Sequence, residues 1–152
     1  MIADTGVTLG EKKLTVDLAY KWAKKFNLAI QQENVDELGL LFIDECHWRD
    51  LLALTWRIET FSGHQLVQEN ILTAAKSQGM KNFQIDERRS RPKLVERAGQ
   101  ECIEAFGHFE TNVGKGVSVF RLSRDGKLAW TFMSALEELF DSKPDVSDDI
   151  PD

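Results

Sequence analysis

The chain has 152 residues, 42% of them hydrophobic, with 10 glycines, two cysteines and a formal charge of −6. Such a composition suits one globular domain that can bury a core without a disulfide scaffold or a metal. Most of the charge excess sits in residues 141–152, where five Asp stand against Lys143; the nearly neutral body carries no basic stripe to neutralise phosphates, which argues against a nucleic-acid partner.

The beginning, Met1 to Lys13, has neither a basic leader nor an apolar core segment, and no apolar run approaches the ~18 residues of a spanning helix. Secretion and membrane insertion are therefore not expected. With only Cys46 and Cys102, the expectation is reduced thiols in a cytoplasmic compartment.

From Thr15 the residues Leu18, Trp22, Phe26 and Ile30 recur every fourth position beside Ala19, Ala23 and Ala29, predicting an amphipathic helix of about four turns. Asn34 with Glu37 reads as a capping box opening a short second helix through Leu38, Leu41 and Phe42. Ser62 with Gln65 repeats the signal for a third helix through Leu66, Val67, Ile71, Ala74 and Ala75, stopped at Gly79. Beyond it the period is two. Phe83 and Ile85, then Ile103, Ala105 and Phe109, then Leu128, Trp130, Phe132 and Leu136 form strand faces, with an Asp-Gly turn at Arg124-Asp125-Gly126-Lys127. Helices first and antiparallel strands later predict an α+β fold over residues 1–140, followed by an acidic, disordered tail at 141–152.

The stretch from Cys46 to Ile58 carries the strongest chemical signal. As a strand it places Trp48, Asp50, Leu52, Leu54, Trp56 and Ile58 on one face, so one carboxylate stands in a row of five apolar side chains. If that row faces inward, Asp50 loses hydration and its charged form is disfavoured, the condition that turns a carboxylate into a proton acceptor near neutral pH. A bulge at Leu51-Leu52 would swap the faces, and a structural role, as an ion pair with Arg49 or Arg57 or as a hydrogen-bond acceptor, is the competing reading.

Trp48-Arg49-Asp50-Leu51-Leu52-Ala53-Leu54-Thr55-Trp56 followed by Thr60-Phe61-Ser62-Gly63, with Glu101-Cys102-Ile103-Glu104-Ala105-Phe106, Ala129-Trp130-Thr131 and Ala135-Leu136-Glu137-Glu138-Leu139 further on, resembles the nuclear transport factor 2-like (SnoaL-like) domain that precedes the flavin module of some flavin-containing monooxygenase-like proteins. The resemblance runs from about Thr15 to Phe140. It implies a cone-shaped, curved mixed sheet wrapped around the first helix, an apolar small-molecule pocket at the open end, and in many members a homodimer through the outer sheet face. Some members are cofactor-free isomerases, dehydratases, cyclases or epoxide hydrolases; others are transport or assembly domains, so fold alone does not decide activity. The segment Phe42 to Asp50 also resembles that of ketosteroid isomerases, with Asp50 in the place of the general base. Continuing that alignment puts Phe26 where those enzymes carry an oxyanion-hole tyrosine and Ser118 where they carry a protonated aspartate. One such donor is worth ~3–4 kcal/mol in the transition state, so their reaction is disfavoured here.

These readings nominate Asp50 as catalytic residue and Trp22, Phe26, Trp48, Leu54, Trp56, Ser118 and Trp130 as the pocket for an apolar small molecule. His47, His64 and His108 lack metal-ligand spacing, and Gly114-Lys115-Gly116 lies between strands with no following helix, so neither metal nor nucleotide cofactor is expected. His108 and Glu110 share a phase with Phe106 opposite the more apolar Ile103, Ala105 and Phe109, which assigns them to the outer surface. Phe106 and Phe120 are read as outward apolar residues that favour a homodimer, and a flavin-dependent oxygenase is the expected partner if the domain is an accessory one. Deleting residues 142–152 is expected to leave the thermal midpoint nearly unchanged, because Asp-rich residues with two prolines bury little; a loss of several degrees in calorimetry would show instead that the segment docks.

Overall fold

A computed structural model of the chain describes residues 8–140; the expectations for the tail and for the first residues lie outside them. The first helix, α1 (Leu9–Gln31), begins two turns earlier than its apolar period announces. Thr8 is the reason: its hydroxyl accepts the Glu11 N–H at 3.0 Å while the Glu11 carboxylate accepts the Thr8 N–H at 2.9 Å, a reciprocal cap over an exposed first turn. Ala19, Trp22, Ala23, Phe26, Ala29 and Ile30 form its buried face. Helix α2 (Val35–Gly39) is capped as expected by Asn34, whose side chain accepts the Glu37 N–H. Helix α3 (His64–Gln78) begins at Gly63 without a side-chain cap; Ser62 lies 2.8 Å from His47 Nδ1 and so is not available to α3. It ends at Gly79 in the left-handed conformation, φ 66°.

Seven strands follow the helices or lie between them: β1 (Phe42–Leu51), β2 (Ile58–Ser62), β3 (Lys81–Ile85), β4 (Lys93–Arg97), β5 (Gln100–Glu110), β6 (Gly114–Ser123) and β7 (Ala129–Leu139). They form one mixed sheet in the order β2-β1-β7-β6-β5-β3, with β4 also on β5, and only β1 and β7 run parallel. The architecture is α+β, a curved sheet with helices against its inner face. The β6–β7 turn is the expected one: Gly126 has φ 75°, and Asp125 accepts the Ser123 hydroxyl and the Lys127 N–H.

Aromatic rings fill the space between α1 and the sheet. Trp22 stacks on Phe26 at 5.1 Å and on Phe120 at 4.9 Å, and Phe26 meets Phe83 at 4.8 Å and Phe132 at 5.0 Å. The Trp22 indole N–H donates to the Leu41 carbonyl at 3.0 Å, so its one polar atom is satisfied inside.

The register corrects three sequence readings. Phe120 pairs with Ala105, faces inward and is fully buried, whereas Phe106 opposite Val119 is outward. Trp130 sits where the β6–β7 register shifts between Arg121 and Leu122, so Ala129 and Phe132, and not Leu128 and Trp130, continue the inner face. Finally, β1 stops at Leu51, so Leu52, Leu54 and Trp56 do not prolong its inner face. The outer face does hold His108, paired with Val117.

Candidate active site at the end of β1

Strand β1 delivers Cys46, Trp48 and Asp50 to the inner face, all three fully buried. At Leu52 the backbone turns into the left-handed region, φ 65°, and it does so again at Trp56, φ 62°, so residues 52–57 fold back as a six-residue loop closed by the Leu52 N–H to the Arg57 carbonyl at 3.0 Å. Neither turning residue is glycine, and each such residue costs on the order of 1–2 kcal/mol.

Asp50 holds that loop. Its Oδ2 accepts the Leu54 N–H at 3.0 Å, the Thr55 N–H at 2.8 Å and the Thr55 hydroxyl at 2.8 Å. Its Oδ1 accepts the Ser134 hydroxyl at 2.6 Å and lies 3.2 Å from the Leu54 nitrogen. Ser134 is presented by β7, directly opposite Asp50 in the parallel register, and is itself held by the Trp48 indole N–H at 2.9 Å. Trp48 stacks on Phe61 at 5.0 Å. The expected apolar row around Asp50 is thus replaced by a cradle of donors, which stabilises a buried carboxylate where bare desolvation would destabilise it.

The inner-face row continues across the sheet from Asp50 to Ser134, then to Ser118 on β6 and Gly107 on β5. Ser118 is fully buried and its hydroxyl has no hydrogen-bond partner among the described residues. A Cβ at Gly107 would come within 2.7 Å of that hydroxyl and 2.9 Å of the Phe83 ring, so the glycine leaves the room that Ser118 occupies.

Of the nominated pocket residues, Trp48 touches the Asp50 cradle through Ser134, and Leu54 is buried in the loop whose amide Asp50 holds. Trp56 lies on the outside of the loop, 43% exposed, its indole N–H donating to Gln78 Oε1 at the end of α3. Trp22 and Phe26 are in the aromatic interior and Trp130 is half-exposed at the β7 irregularity. Ser134 and Thr55 are the members that sequence reading missed. Thr55 carries a faint signal, a hydroxyl five residues after an aspartate at a loop; Ser134 stands 84 residues from Asp50 and carries none.

Other candidate chemistry resolves into structure. Burial pushes the Cys46 thiol up to about 11 and raises that of Cys102 as well, which removes both as thiolate nucleophiles near neutral pH. The Arg88 guanidinium, hydrogen-bonded at 2.8–2.9 Å, holds Asp86 down at about 2. No group of three or more His, Cys, Asp or Glu among the described residues is placed to hold a metal. Two clefts open elsewhere: one of about 1070 Å³ between the first half of α1 and residues 90–97, and one of about 460 Å³ beside α2, His64 and Gln68. Asp50 lines neither.

No protein-family model matches the chain, and no curated relative was found. Solved structures do match. An NTF2-like protein of unknown function from Mesorhizobium loti superposes with a TM-score of 0.52 at 16% identity, over 80% of this chain and 93% of that one. A SnoaL-like protein of unknown function from Burkholderia thailandensis gives 0.54 at 10% identity, over 80% and 96%. A steroid delta-isomerase from Pseudomonas aeruginosa gives 0.50 at 15% identity, over 79% and 80%. The chain has the nuclear transport factor 2-like, or SnoaL-like, fold. Among described residues no helix is long and apolar enough to cross a membrane.

The two inner serines should respond oppositely to truncation. Ser134→Ala removes a donor from a buried carboxylate and strands the Trp48 N–H, so chemical denaturation should show a loss of about 2–4 kcal/mol. Ser118→Ala removes a hydroxyl that has no partner among the described residues and should be neutral or stabilising by up to about 1 kcal/mol. Equal losses in both variants would mean that Ser118 is as well bonded as Ser134.

Proposed function

We propose that the protein binds a small, mostly apolar molecule at the Asp50 end of the inner sheet face and carries out cofactor-independent acid/base chemistry on it, with Asp50 as proton acceptor. The observation that carries this reading is the polar row itself: an aspartate and two serines, all fully buried, set into an otherwise apolar sheet face. Asp50 also holds the 52–57 loop, but the Ser118 hydroxyl, which has no partner among the described residues, is not accounted for by folding. The fold shared with a protein named as a steroid delta-isomerase supports chemistry of this class. Ketosteroid isomerisation by that route is not proposed, because Phe26 offers no hydroxyl and Ser118 no acidic proton.

A second reading has its own support. Asp50 is saturated by donors in this conformation, as it would be in a purely ligand-binding domain, and the sequence resemblance points to an accessory of a flavin-containing monooxygenase. A panel of a Δ5-3-ketosteroid, limonene 1,2-epoxide and scytalone, assayed with wild type and Asp50→Asn, separates the two. Under the first, one of the last two compounds turns over and the variant, assayed at a temperature where circular dichroism shows it folded, is slower by ~100-fold or more; its melting temperature falls as well, because an amide nitrogen cannot accept from the donors that Asp50 holds. Turnover absent throughout while a small molecule is recovered by native mass spectrometry selects the second, and turnover that is equal in both proteins refutes Asp50 as the proton acceptor.

The protein is further proposed to be a cytoplasmic homodimer. On the outer sheet face Phe106, Val119 and Met133 lie in one cross-strand row that ends at Arg49, and Val117, Ala135 and Leu51 lie in the next, between His108 and the 62% exposed Ile58. Glu104, bridged by Arg97 and Arg121, marks one polar border. An apolar band of this kind suits a self-complementary contact. Sedimentation should give a dimer mass at tens of micromolar, and a monomer mass there would refute the assembly.

A further inference from the structure

We infer that residues 52–57 are a strap that stands in for the ligand, and that the site beneath it takes an apolar molecule with a hydroxyl or ammonium head that donates to Asp50. This rests on the proposed site and specifies its ligand class.

The argument starts from what would happen if the strap left. The Leu54 N–H, the Thr55 N–H and the Thr55 hydroxyl would all leave Asp50, and only Ser134, which belongs to the sheet, would stay. A buried carboxylate stripped of donors is costly. A hydrocarbon, ketone or carboxylate could not replace what was lost, whereas an O–H or N⁺–H could. The body of the ligand follows from the same geometry: the strap seats Ala53 and Leu54 inside, 2% exposed each, so the volume vacated is apolar and about the size of those two side chains. The unpartnered Ser118 hydroxyl, buried on the same face one strand beyond Ser134, is a further group that the closed form leaves unused.

The strap is also built to move as a unit. Its reversals fall at Leu52 and Trp56, two of the non-glycine residues held at positive φ. Its outer surface exposes Leu52 and Trp56, and a side-chain latch to the body of the protein joins Trp56 Nε1 to Gln78 Oε1 at 3.0 Å.

The test uses the full chain with 2-phenylethanol and 2-phenylethylamine as probes and 3-phenylpropanoate and ethylbenzene as controls. Amide hydrogen exchange of Leu54 and Thr55 should be at least ~10²-fold faster than that of Trp48 in β1, showing opening below global unfolding. The two donor probes, not the controls, should accelerate it further and shift the Trp56 fluorescence. Trp56→Phe, which removes the latch but not the ring, should lower the apparent Kd of the donor probes about fivefold by raising the open population. Strap amides that exchange only with the whole molecule, or controls that act as strongly as the donor probes, would overturn the inference. Neither result bears on whether Asp50→Asn loses turnover. Conversely, donor probes that open the strap in a protein whose Asp50→Asn variant is unimpaired would keep this inference and retire the catalytic reading.

Discussion

A carboxylate taken out of water must find donors or lose its charge, and the end of β1 is organised around meeting that demand. Asp50 satisfies it from two directions, by Ser134 from the neighbouring parallel strand and by the backbone of residues 52–57. The first contact ties the parallel β1–β7 pair, the only parallel step in the sheet, across its inner face. The second decides where β1 ends. Leu52 and Trp56 hold left-handed backbone without the freedom of glycine, and such strain persists only where the surroundings over-determine it. Three donors converging on one carboxylate oxygen supply that over-determination.

The aromatic interior frames this polar end. Trp22, Phe26, Phe83, Phe120 and Phe132 pack ring on ring between α1 and the central strands, and close packing of rings leaves little freedom for the strands that carry Ser118 and Ser134. The row from Asp50 to Gly107 is therefore displayed on a rigid support, with the 52–57 loop folded over its Asp50 end. Rigid strands that hold polar groups in fixed positions are the arrangement a binding site needs.

Much of this was legible in the sequence, and the failures have local causes. The fourfold spacing of Trp22, Phe26 and Ile30 announces α1, and Arg124 to Lys127 announce the last hairpin, because these signals are contained in a few neighbouring residues. The start of α1 was missed since Leu9 to Leu14 show no apolar face; Thr8 and Glu11 fix it by capping alone. Alternation through Leu52, Leu54 and Trp56 reads as strand because nothing in those residue types reveals a positive φ. Phe120 was placed outward because the phase of β6 depends on its partner Ala105. Ser134 could not be found at all, as its meaning comes entirely from facing Asp50 across a parallel pairing between distant segments.

The contrast between the two serines separates what folding requires from what it does not. Ser134 is bonded on both sides, as a donor to Asp50 and as an acceptor from Trp48, and its presence is explained by stability alone. Ser118 buries a hydroxyl with no partner among the described residues, and Gly107 gives up a side chain to leave it room. Each choice costs stability: an unsatisfied buried hydroxyl about 1–3 kcal/mol and a glycine within a strand up to about 1 kcal/mol. Alanine at position 118 would remove the first cost without creating a large void. A fold selected only to be stable has no reason to keep this pair beside the Asp50 cradle, whereas a fold that receives a ligand there has one.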